Sequence, residues 1–83
     1  MKVESHVNVT FDFSNWGGEL YDLRIPRYQT VKQLLLNIEQ TIPLPVPENQ
    51  TFIIKVLTKN IVLAADDELS DYPVTHGDIL AVV

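Results

Sequence analysis

Cysteine is absent from the 83 residues, so neither a disulfide framework nor a thiolate metal site is available. Long apolar runs are missing too; none approaches the ~18 residues needed to cross a bilayer. Basic residues are scarce, six against eleven acidic ones, and the net charge is −5. No basic cluster reverses that balance locally, which argues against nucleic acid and anionic lipid surfaces as partners and leaves a basic protein surface open. The three glycines, Gly17, Gly18 and Gly77, make no phosphate-cradling loop. A chain this small buries only roughly 60% of its unfolded surface, leaving room for one thin core and no cleft. Catalysis, which needs a nucleophile–base pair or paired carboxylates around a pocket, is therefore not expected, and no cofactor is implied.

What is present is enough apolar content, 46%, for one packed domain spanning residues 1–83. The opening Met1-Lys2-Val3-Glu4-Ser5-His6 has no apolar segment of the kind a signal peptide carries, so a cytoplasmic location is expected. Without export, the glycosylation-like triplets Asn8-Val9-Thr10 and Asn49-Gln50-Thr51 read as chance matches.

Val7, Val9, Phe11 and Phe13 alternate with Asn8, Thr10 and Asp12, the period of a half-buried strand. Ser14-Asn15-Trp16-Gly17-Gly18 should reverse the chain. Tyr21, Leu23 and Ile25 then predict a second strand ending near Pro26. Thr30 and Gln33 are spaced as a capping box, followed by Val31, Leu34, Leu35 and Ile38 at helical spacing. One amphipathic helix over about 31–41 follows, stopping before Pro43. Ile42-Pro43-Leu44-Pro45-Val46-Pro47 reads as a stiff connector that tucks an aliphatic residue under the sheet, or else as a polyproline ligand.

Phe52 to Leu57 predicts a third strand, Ile61-Val62-Leu63 a fourth, Leu69 to Tyr72 a compact turn, and Ile79 to Val83 a fifth. The order β-β-α-β-β-β makes a two-layer α+β fold, a mixed sheet packed on one helix in the β-grasp arrangement.

From Tyr21 onward the chain resembles ubiquitin, in Tyr21-Asp22-Leu23-Arg24-Ile25, Thr30-Val31-Lys32-Gln33-Leu34 and the Leu69-Ser70-Asp71-Tyr72 tetrad. Nearly the whole chain resembles the ubiquitin-like EsaB/YukD proteins of bacterial type VII secretion systems. Val7-Asn8-Val9-Thr10-Phe11-Asp12-Phe13, Tyr21-Asp22-Leu23, Lys55-Val56-Leu57-Thr58-Lys59 and Gly77-Asp78-Ile79-Leu80 carry that likeness by their joint order. The resemblance implies a small cytosolic accessory of a secretion machine in Gram-positive bacteria. Its implied partners are a membrane subunit or the cytoplasmic domain of an FtsK/SpoIIIE-type ATPase, with self-association also open. The alternative is a regulator of expression or substrate handling that never joins the complex. Conjugated ubiquitin-like modifiers add a tail ending in Gly-Gly; here the last strand runs to Val83, so no covalent handle is expected.

Alternation assigns the contact surface. With Ile54, Val56, Leu80 and Val82 inward, Leu57, Ile79, Ala81 and Val83 should form an outward apolar patch. Leu57, Ala81 and Val83 fall where ubiquitin has its isoleucine–histidine–valine patch, alanine replacing the histidine. Thr10 should face the same side, either orienting a partner or serving as a surface β-former. Trp16 is either an interface anchor or folded back onto Phe13. Asp66, Asp67, Glu68 and Asp71 lack the alternation of a calcium loop and read as a solvated turn, with Asp71 closing the tetrad. His6 and His76 have no suggested third ligand, so no metal site is expected.

Overall fold

The computed structural model describes residues 5–83, and the reading of the chain's first four residues lies outside them. Strand β1 (His6–Asp12) pairs antiparallel with β2 (Leu20–Pro26) and parallel with β5 (Ile79–Val82). β5 also pairs antiparallel with β3 (Ile54–Val56), which pairs with β4 (Ile61–Leu63). The sheet order is β2-β1-β5-β3-β4, with β2 and β4 at the edges.

The helix α1 (Val31–Thr41) supplies the second layer by burying Val31, Leu34, Leu35 and Ile38. These pack with Val7, Val9, Phe11 and Phe13 of the first strand and the segment beyond it, and with Ile54, Val56, Leu80 and Val82. Ile42 and Leu44 of the proline connector rest half-buried against this core, while Val46 stays exposed. The connector thus does what its aliphatic residues suggest.

The helix begins as its sequence predicts. Gln33 N–H donates to Thr30 Oγ1 at 3.2 Å and Thr30 N–H donates to Gln33 Oε1 at 3.1 Å, completing the capping box. Val31 and Lys32 N–H donate to the carbonyls of Asp67 and Ala65, so the 64–68 loop satisfies two further first-turn amides. Asp67 belongs to that loop's own structure: its Oδ2 accepts from Ala64 N–H at 2.8 Å.

The third strand is shorter than the sequence reading, and both predicted turns take a 3-10 form. The third strand starts only at Ile54, because Phe52 sits at φ 54°, a left-handed conformation that cannot continue an extended ladder, and it ends at Val56, whose carbonyl accepts from Lys59 N–H in the following turn. Ser14–Trp16 winds into a single 3-10 turn, closed by Gly17 at φ 82°. Leu69–Asp71 is likewise a 3-10 turn, closed by backbone bonds from Asp71 to Glu68 and from Tyr72 to Leu69.

Candidate functional site

The face of the sheet opposite α1 carries the residues that alternation assigned to a contact surface. Register places them in cross-strand rows. Thr10 of β1 lies beside Ile79 of β5, and Leu57 N–H donates to Ile79 C=O at 2.8 Å, so Thr10, Ile79 and Leu57 share one row. Asp12, Ala81, Lys55 and Val62 make the next. Val83 N–H donates to Ile53 C=O at 3.2 Å, placing those two in a third.

Exposure grades this surface unevenly. Leu57 and Val83 are each 47% exposed and Ile79 is half-buried. Ala81 departs from expectation: it lies in the outward row but is only 7% exposed. β5 is the central strand, and the methyl of Ala81 sits between the longer side chains of Asp12 and Lys55 on its two neighbours. Those charges interrupt the apolar path from Leu57 to Val83. The Asp12 carboxyl is held below its ordinary pKa by hydrogen bonds from the Ser14 hydroxyl and the Ser14 N–H, so it is an anion at neutral pH.

Thr10 is on this face with its hydroxyl engaged, donating to Asp22 Oδ1 at 2.7 Å. Trp16 is not brought to the patch. Its ring lies 5.4 Å from that of Phe13, itself fully buried, in the folded-back arrangement. Asn15 beside it donates from Nδ2 to Val82 C=O at 2.9 Å, tying the turn to the end of β5.

Two exposed aliphatics were not singled out from sequence. Val62 and Leu20 are both 58% exposed, at opposite ends of the row through Ala81. Val62 was readable, since an inward Leu63 forces it outward by simple alternation. Leu20 follows the same rule, being the first residue of β2 and next to an inward Tyr21, but the alternating run was read only from Tyr21.

A third missed residue, Asp78, is the buried polar group beneath one end of this face. Its carboxylate accepts from Thr58 Oγ1 at 2.7 Å, from Thr75 N–H at 2.9 Å and from Lys59 Nζ at 2.5 Å. Burial pulls its pKa upward, but the Lys59, Thr75 and Thr58 hydrogen bonds outweigh that and leave it below the ordinary value. The loop is stitched to β1 as well. Gly77 N–H donates to Asn8 C=O, Asn8 N–H to His76 Nδ1, and Thr10 N–H to Asp78 C=O. The turn after Leu57 and the loop before Ile79 are thereby joined.

This fold and its length have known counterparts. The sequence profile described as WXG100 protein secretion system (Wss), protein YukD, matches residues 6–82. The chain belongs to the YukD family. The type VII secretion system accessory factor EsaB of Staphylococcus aureus (strain Newman) is 37% identical over 81 residues, covering 98% of this chain and 100% of that protein. The ESX secretion system protein YukD of Bacillus subtilis (strain 168) is 28% identical over 78 residues, covering 94% and 99%. Among solved structures, a ubiquitin-like domain of an Arabidopsis thaliana protein superposes with a TM-score of 0.70 at 19% identity, covering 100% of this chain and 81% of the other. The fold is ubiquitin-like. Among the described residues of this YukD-family chain, no helix is long and apolar enough to cross a membrane.

Proposed function

We propose that this chain is an accessory of a type VII secretion system that acts by surface contact, docking its outer sheet face on a cytoplasmic part of the machinery. Two partners fit, a membrane subunit's cytoplasmic segment or the ATPase's cytoplasmic domain. Family membership supplies the setting, with EsaB of S. aureus named an accessory factor of that system. The observation that carries the docking surface is the set of exposed aliphatics, Leu57, Val62 and Val83, spread over a face whose Leu57 end is tied to the loop before Ile79 by the Asp78–Lys59 ion pair. A pre-ordered face spends little conformational entropy on binding. The charges of Asp12 and Lys55 within it favour a partner with apolar contacts around a polar centre.

The test is the double variant Leu57→Asp and Val83→Asp. Both side chains are surface groups, so the fold should survive, as judged by an unchanged far-UV spectrum. Amine crosslinking through Lys55, which lies on this face in both chains, should capture a secretion subunit from the wild type, and the double variant should lose both that capture and export. Retention of both in the folded variant would exclude this face.

A further inference from the structure

Strand β2 forms one edge of the sheet, with β1 as its strand partner. Which of its backbone groups are left unpaired follows from the bonds at its two ends. Arg27 N–H donates to Ser5 C=O at 2.8 Å, and Phe13 N–H donates to Glu19 C=O at 3.1 Å. In an antiparallel ladder, hydrogen-bonded pairs recur every second residue, so Ile25, Leu23 and Tyr21 direct their N–H and C=O toward β1. Leu20, Asp22 and Arg24 therefore direct theirs to the open edge. Among the described residues, the amides of Asp22 and Arg24 have no other backbone partner. Pro26, lacking an N–H, ends the free ladder.

Immediately inside this edge lies a groove of about 220 Å³ between β2 and α1. Leu23 and Ile25 form one wall, Leu34, Ile38 and Thr41 the other. One end is closed where Asn37 Nδ2 donates to Gln29 Oε1 at 3.2 Å. Unpaired strand groups and an apolar trough beside them are the two parts of a strand-addition site: main-chain bonds hold the guest and alternate side chains fill the trough.

Charge selects the guest. The chain carries −5 overall, yet the one ionised residue at the groove is Arg24, which sits at its rim with the side chain exposed on the outer face of the sheet. Its guanidinium reaches Asn8 Oδ1 only at 3.5 Å, whereas neighbouring Asp22 is already engaged by Thr10. We infer that the β2 edge receives an extended partner segment as a sixth strand, with the pattern aliphatic–acidic–aliphatic set against Leu23-Arg24-Ile25. Opposite residues of paired strands point to the same face, so the two aliphatic side chains enter the groove and the carboxylate meets Arg24 on the outer side. This surface is separate from the Leu57–Val83 face, and one chain can engage both.

The experiment titrates the full, isotope-labelled chain with an acetylated, amidated nonapeptide carrying Ile-Glu-Val at its centre. Amide resonances of Asp22 and Arg24 should move, exchange more slowly with solvent, and be accompanied by shifts at Asn37 and Thr41. A central Lys in place of the Glu should weaken binding about two- to fivefold, the range of a cross-strand charge pair. Arg24→Glu, an exposed substitution, should reverse that preference. A central Pro should abolish binding. Three results would overturn the inference: no movement at Asp22 and Arg24 at millimolar peptide, shifts confined to the Leu57–Val83 face, or edge resonances that broaden with chain concentration alone, which would make the occupant a second copy.

Discussion

Asp78 is 6% exposed, the one polar residue buried among those described, and its stability contribution depends on pH. Its folded pKa is depressed, the bonds from Lys59, Thr75 and Thr58 outweighing desolvation. A depressed carboxyl stabilises fully above its unfolded pKa, ~3.9, and loses that contribution as pH falls through the lower folded value. Asp78→Asn should therefore destabilise the chain by about 1–3 kcal/mol at pH 7, the cost of breaking a buried charge-assisted network. In urea unfolding followed at several pH values, the gap between variant and wild type should shrink below about pH 4. A gap independent of pH would assign the loss to packing. Sequence reading gave the Asp78 side chain no role, because its partners Thr58 and Lys59 lie 20 and 19 positions away. Ala81 failed for a related reason. Alternation gives the side a residue faces, but its exposure depends on neighbours in other strands, here Asp12 and Lys55.

Elements governed by local chemistry were read closely. The helix runs from Val31 to Thr41 with its capping box in place, because cap, apolar spacing and the following Pro43 all act within a few residues. The cap's worth can be measured. Thr30→Ala removes the acceptor for Gln33 N–H and should cost about 1 kcal/mol, lowering the thermal midpoint by roughly 4–8 °C. Thr30→Ser, which keeps the oxygen, should recover most of the loss; equal losses in the two variants would point to the γ-methyl. β3 was read too long because Phe52 has a strong strand preference that tertiary context overrides. The ring rests half-buried against the core with Lys32 Nζ 5.5 Å from its centroid, and the backbone turns left-handed there. That conformation costs a non-glycine residue about 1–2 kcal/mol, an expense that burial of an aromatic ring offsets.

At the scale of the whole molecule, both layers share one core, and the sheet is closed across its middle by the parallel β1–β5 pair. The β-grasp arrangement was legible from the order of the elements, since a hairpin, a crossing helix and a returning strand have few compact solutions. Trp16 was left undecided, because the length of a loop does not say which way its tip folds. Its seat on Phe13 now makes it a reporter of the core. Ile54 is 1% exposed on β3, whereas Trp16 sits in the turn after β1. Ile54→Val removes one buried methyl group and should cost about 1 kcal/mol without disturbing the fold. If the core unfolds as one unit, that cost appears equally in tryptophan fluorescence and in far-UV circular dichroism, with coincident urea midpoints before and after substitution. A dichroism midpoint that falls while fluorescence stays fixed would mean that the β1–β2 hairpin unfolds apart from the rest. Coincidence matters for the proposed function as well, since the docking face proposed on β3 and β5 would stay ordered only as long as the hairpin and helix hold the other side of the same core.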